Sequence, residues 1–144
     1  MLLKISVEEI FTKEKLDGAK TFIADNFSNS IFINNGNLNF TQIQMPWQAQ
    51  LTSYRDAAII DANGDKLPDI LLMGNYYDNN IQMGRYDADY GTILLNKGNA
   101  NFKAQTLNGL YIKGQVRHIK KIDIANKEAY ILARNNDSTM VISY

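Results

Sequence analysis

The feature that most constrains this chain is an internal repeat at an offset of 62 residues (94 minus 32). Phe32-Ile33-Asn34-Asn35-Gly36-Asn37-Leu38-Asn39-Phe40 returns as Leu94-Leu95-Asn96-Lys97-Gly98-Asn99-Ala100-Asn101-Phe102, and Arg55 and Asp61 return as Arg117 and Asp123. Each copy sets two short apolar runs on either side of an Asn/Gly turn, the pattern of an antiparallel hairpin. A repeat of this length, holding about four short strands, implies stacked sheets in which no unit covers both of its apolar faces alone. Two such units fall short of a ring of roughly four to eight blades, so the chain is either a sector of a larger propeller or covers its open edges in another way. The expected architecture is therefore mainly β: about two four-stranded antiparallel blades of a partial propeller ring, preceded by a short N-terminal helix. Residues 1–20 read as the helical lead-in, 21–91 as the first repeat and 92–144 as a second, degenerate one.

Between Ala57-Ala58-Ile59-Ile60 and Ile70-Leu71-Leu72-Met73 lies the acidic loop Asp61-Ala62-Asn63-Gly64-Asp65-Lys66-Leu67-Pro68-Asp69. A hard cation such as calcium takes about six to eight oxygens at roughly 2.3–2.6 Å, and a tight loop can turn alternate residues inward to supply them. Asp61, Asn63, Asp65 and Asp69 offer side-chain oxygens, and Leu67 its carbonyl. Carboxylates a few ångströms apart repel by about 1 kcal/mol per pair in water, and by more at lower dielectric. A counter-ion is therefore the expectation. The loop departs from an EF-hand, which needs a glycine and a bidentate glutamate where Lys66 and Leu72 stand. Its flanks read as strands, being short apolar runs bounded by turn residues. A plain Asn-Gly turn without an ion is the alternative reading. In the second copy, Ile122-Asp123-Ile124-Ala125-Asn126-Lys127-Glu128-Ala129-Tyr130 keeps only the first aspartate and runs one residue short, so no ion is expected there.

In chain order, Ser6-Val7-Glu8-Glu9 has the form of a capping box that opens a helix running to about Leu16. Residues 21–27 suit helix or strand. Strands are expected at Ser30–Asn34, Asn39–Ile43, Tyr54–Ile60, Ile70–Met73, Ala129–Arg134 and Thr139–Tyr144, with a loop at Met45-Pro46-Trp47 because proline is excluded from central strands. Residues 75–91 form a long connection rich in tyrosine, asparagine and aspartate. Loops of this length are functional or disordered, and aromatic rings beside planar polar groups suit glycan or protein contacts. Tyr76, Tyr77, Arg85, Tyr86, Asp87 and Tyr90 are the candidate ligand contacts. The other reading is an ordered crossover packed by its own tyrosines, with Arg85 paired to Asp87 or Asp89.

Fifteen Lys and Arg balance fifteen Asp and Glu, so no net field favours nucleic acid or an anionic membrane. No cysteine is present, which removes disulfides, thiolate catalysis and Cys-based zinc sites and suits an exported bacterial protein. Met1-Leu2-Leu3-Lys4-Ile5 is too short an apolar stretch for a signal peptide, and no run of about 18 apolar residues could span a bilayer. An export signal, if the parent protein is secreted, is expected outside this chain.

The Phe-x-Asn-Asn-Gly-Asn-x-x-Phe hairpin, the Asp-x-Asn-Gly-Asp-x-x-Pro-Asp loop and the apolar strand that follows resemble the FG-GAP or VCBS repeats of integrin-α-like β-propellers. Gly84-Arg85-Tyr86-Asp87-Ala88 and Ala133-Arg134-Asn135-Asn136-Asp137-Ser138 look, more narrowly, like the C-terminal end of VCBS-repeat, cartilage-acidic-protein-like surface proteins of Bacteroidetes. The resemblance implies a seven-bladed ring in an extracellular or outer-membrane-associated protein, with roles in adhesion or in carbohydrate or protein binding. It also implies calcium held by Asp61, Asn63, Asp65, Asp69 and the Leu67 carbonyl, although Lys66 stands where the family usually has glycine. Partners would be a carbohydrate or protein ligand, the remaining blades, or a second chain joined edge to edge.

Catalysis has little support. His118 is the lone histidine and takes the repeat position of Asp56 on a strand, and no serine sits in a G-x-S-x-G elbow. Paired carboxylates could come from Asp56, Asp78, Asp87 and Asp89, but a glycosidase needs a defined separation between them. The two working expectations are a non-enzymatic calcium-binding module and a purely structural propeller segment.

Overall fold

The computed structural model describes residues 5–143; Met1-Leu2-Leu3-Lys4 and Tyr144, the last residue expected in the terminal strand, lie outside the described residues. Among the described residues nine strands form three antiparallel sheets. β1 (Ser30–Asn34) and β2 (Phe40–Gln44) make a hairpin. β3 (Tyr54–Ile60), β4 (Asp69–Gly74), β5 (Thr92–Asn96) and β6 (Phe102–Thr106) make a four-stranded sheet in chain order. β7 (Val116–Ile124), β8 (Lys127–Arg134) and β9 (Met140–Ile142) make the third. The mainly β expectation holds, but the sheets have two, four and three strands rather than four and four. The sheets are out of phase with the repeat, because β3 and β4 come from its first copy while β5 and β6 come from its second. The third sheet ends on a three-residue strand after a short turn, where the first copy has its long connection.

The repeat is real in backbone terms. Asn37 and Leu38 (φ 50° and 57°) are matched by Asn99 and Ala100 (φ 50° and 58°), each pair following a left-handed glycine, Gly36 or Gly98. Asn34 Oδ1 accepts the Gly36 N–H at 2.9 Å, and Asn96 Oδ1 accepts that of Gly98 at 2.9 Å. Such short asparagine-to-backbone bonds let a turn close on its own side chain. Upstream, β3 shifts register between Tyr54 and Asp56, and β7 shifts between Val116 and His118, 62 residues on.

Burial explains the stacking. β4 and β5 are buried at nearly every position, as befits strands covered on both faces. Leu71, Met73, Ile93 and Leu95 face a core shared with Val116, Ile119, Tyr130, Leu132 and Ile142 of the third sheet. Leu72 and Leu94, on the opposite face, pack with Ala49, Ala104 and the half-buried Ile31 of the hairpin. Hydrogen bonds join the four- and three-stranded sheets directly: Asp56 Oδ2 accepts the Ile119 N–H at 2.9 Å, and the Ile59 carbonyl accepts the Tyr130 hydroxyl at 3.4 Å.

The expected N-terminal helix is corrected to two single turns, α1 (Val7–Ile10) and α2 (Lys13–Leu16), separated by extended backbone at Phe11 and Thr12. The capping bond is present, with Glu9 Oε2 accepting the Ser6 N–H at 2.7 Å. Neither turn buries a residue, and helices this short do not persist without packing. Residues 21–27 adopt neither helix nor strand.

Candidate functional site

Two places gather chemistry, the acidic loop and the crossover of residues 75–91. In the loop, Asp61 accepts the N–H groups of Gly64 (2.8 Å) and Lys66 (3.1 Å) through its two oxygens. Asn63 Oδ1 accepts the Asp65 N–H at 3.0 Å, and Asp65 Oδ1 that of Leu67 at 2.8 Å. These local bonds turn the three side chains toward the loop's own backbone, and the N–H of Leu67 is what first holds the exposed Asp65 carboxyl below its usual range. Lys66 adopts φ 66°, the left-handed conformation that glycine takes most easily.

Asp69 differs from the rest. It is fully buried at the start of β4, where Oδ2 accepts the Ala62 N–H at 2.9 Å and Oδ1 the Asn96 N–H at 2.7 Å. It thereby clamps the loop entrance to the β5–β6 hairpin. Among the described residues no group of three or more His, Asp and Glu side chains is gathered as a metal site. The donor chemistry nevertheless fits calcium: Asp61, Asn63, Asp65 and the Leu67 carbonyl are hard oxygens on one tight loop, and a carboxylate that accepts one hydrogen bond per oxygen keeps further lone pairs. In the second copy the corresponding segment is reduced to a two-residue turn, Ala125 and Asn126 at φ 50° and 61°, with Asp123 opposite Glu128 within the hairpin. Glu128 is instead engaged by Lys121 and by the Tyr130 hydroxyl.

The crossover is ordered. Tyr76 and Tyr86 bridge each other through both backbone N–H groups at 3.0 Å. Asn75, buried at φ 75°, accepts the Asp89 N–H at 3.0 Å and donates to the Asp89 carbonyl (2.8 Å), the Gly114 carbonyl (3.1 Å) and Asp87 (3.2 Å). The Tyr77 hydroxyl donates to Asp87 Oδ1 at 2.6 Å; burial first, then this carboxylate, push the phenol up to about 12. The expected pairing of Arg85 with Asp87 or Asp89 is corrected, for its guanidinium lies 4.9 Å from the centroid of the Tyr77 ring. Asp87 is held by Tyr77 and Asn75, and Asp89 is buried. Tyr86 and Tyr90 remain exposed, at 47% and 39%.

Tyr90 also lines a cleft that sequence reasoning missed. A volume of about 320 Å³ opens between the Trp47–Gln50 turn, the end of the crossover, β6 and the turn that carries Tyr111. The rings of Tyr90 and Tyr111 meet edge to face at 6.0 Å. The Tyr90 carbonyl accepts the Ile112 N–H at 3.0 Å, which fixes the chain beside Tyr111. Asp89 lies in the lining at 5% exposure, accepting the Thr92 hydroxyl at 3.0 Å, while Tyr54 donates to Thr92 at 3.2 Å from below. Burial raises the Asp89 carboxyl above its ordinary value against these hydrogen bonds, and burial raises Tyr54 to about 12. Gly91 is required here: its φ is 101°, and a Cβ would fall 2.3 Å from Leu107 Cδ1. A lone tryptophan after a proline was the only clue in the sequence.

Comparison of the chain with protein-family models, with curated proteins and with solved structures finds no match.

Proposed function

We propose that this chain is a calcium-braced segment of an FG-GAP/VCBS-type β-propeller in an extracellular or outer-membrane-associated protein, and that it works by binding a carbohydrate or protein ligand rather than by catalysis. The observation that carries the reading is the pair of turns and register shifts matched at 62 residues within sheets that share cores on both faces of β4 and β5. A unit repeated in this way buries its apolar faces only against its neighbours. The acidic loop supports the ion: Asp61, Asn63, Asp65 and the Leu67 carbonyl would hold calcium, with Asp69 behind them as the clamp to the next hairpin. When bound, calcium supplies charge that offsets carboxylate repulsion and stiffens the β3–β4 connection. The exposed Tyr86 and the Arg85–Tyr77 stack present the crossover as the contact surface.

A thermal melt in EGTA, in millimolar calcium and in millimolar magnesium tests the ion. A ligand bound only by the folded state stabilises it by about 2.7 kcal/mol at a hundredfold excess over Kd. The expected result is a calcium-specific rise in Tm that Asp65→Ala abolishes. Identical melts in all three conditions would reduce the loop to a turn.

A further inference from the structure

The cleft beside Tyr90 has a lining whose charge is one-sided. Asp89 is its only acidic residue, and it contains no lysine, arginine or histidine. Three aromatic side chains surround the opening: Trp47 is 70% exposed, Tyr111 69% and Tyr90 39%. Among the described residues no arginine or lysine stacks on any of these three ring systems; the arginine stacks lie on Tyr76 and Tyr77. An aromatic face carries negative electrostatic potential, so rings grouped around a concavity attract a cation, the more so when it is desolvated.

We propose that this cleft is an aromatic cage for a quaternary ammonium group, of the kind carried by choline or by trimethylated lysine. The choice of a methylated ammonium over a primary one follows from Asp89. It is 5% exposed, and its Oδ1 is turned onto the Thr92 hydroxyl in the cleft wall. It therefore supplies a field across a low-dielectric wall rather than a fresh hydrogen bond. A primary ammonium needs acceptors for three N–H donors, whereas a methylated one needs only apolar contact and negative potential. Thr92 and Tyr54 hold the carboxylate in place, and Gly91 lets the backbone pass under Leu107 without closing the cleft. Because the ion loop takes no part, the cage is expected to work equally in EGTA, so its failure and that of the calcium reading are separate results.

The experiment titrates the full chain while following the fluorescence of Trp47, its single tryptophan. The probes are tetramethylammonium, choline, Nε-trimethyllysine amide, the uncharged tert-butyl isostere of choline, and free hexoses. The expected result is a saturable change with the cations that is weaker by about tenfold or more with the isostere, the range a desolvated cation–π contact spans. Tighter binding of choline or of trimethyllysine identifies the source of the group. Tyr111→Leu, at an exposed position, should weaken the cations by about tenfold without changing the melt, and Asp89→Asn should weaken them while sparing the isostere. Equal response to the isostere, a response to hexoses alone, or no saturable change with any cation would overturn the proposal.

Discussion

Arg55 and Arg117 stand 62 residues apart at matching register shifts in β3 and β7, and both reach the same crossover: Arg55 lies over the Tyr76 ring at 5.1 Å from its centroid, and Arg117 Nη2 is 2.6 Å from Asp78 Oδ2. The crossover is thus tied to two sheets by equivalent residues of the two repeats. Both contacts are substantially exposed, so each is worth at most about 1 kcal/mol. Arg55→Ala combined with Arg117→Ala should barely move the melt yet speed proteolysis within residues 75–91. Unchanged cleavage at those residues would show that the bonds of Asn75 to Gly114 and of Tyr90 to Ile112 suffice to anchor the loop.

Asp56 joins the sheets through the N–H of Ile119, which has the third sheet's core behind it. Removing the acceptor leaves that N–H unpaired. Asp56→Ala should cost about 1–3 kcal/mol in a urea titration, and Asp56→Asn clearly less because an oxygen remains. His118 Nδ1 sits 3.5 Å from the same carboxylate but is largely exposed, so His118→Ala should be near neutral.

Leu71 is 1% exposed in the shared core, whereas Phe32 of the hairpin is 61% exposed. Leu71→Ala should destabilise by about 2–5 kcal/mol, and Phe32→Ala by less than about 0.5 kcal/mol. Similar losses would mean that the hairpin is buried in solution against something further.

The carboxyls respond to pH with opposite signs. Asp65 and Glu128 have lowered folded pKa values, by the Leu67 N–H and by Lys121 respectively, so the stability they add is present above the unfolded carboxylate range and is lost as pH falls through their folded values. Asp89 is raised by burial, so the folded state is most favoured where it is protonated, and that advantage disappears as pH rises from 3.8 through its folded value. The stability of wild type minus that of Asp89→Asn should therefore fall across that interval. A difference that stays flat with pH would place Asp89 in contact with water.

Among the described residues β1 pairs with β2 alone and β9 with β8 alone, so each presents one open edge. Open edges recruit strands. Light scattering of the isolated chain should show association that grows with concentration and falls in Ile33→Pro, which removes a backbone donor from β1. A clean monomer at all concentrations would count against the purely structural reading, in which this chain is a segment waiting for neighbours.

What the sequence by itself determined is local. The asparagine and glycine of each turn, the Asn63 and Asp65 turns and the Ser6–Glu9 cap all follow from bonds among residues within a few positions of one another. Such bonds are written in adjacent residues. Tertiary structure decided the rest. Asp69 became a buried clamp because β5 brought the Asn96 N–H to it. Arg85 chose the Tyr77 ring because Asp87 had been taken by Tyr77 and Asn75. The helix after Ser6 stopped at one turn because no apolar face met it. Trp47, Asp89 and Tyr111 converge on one cleft only because β3–β6 and their connections fold back on themselves. Strand pairing out of phase with the repeat has the same origin: apolar faces at β4 and β5 are buried by whichever sheets can cover both sides, and no local pattern states which those are.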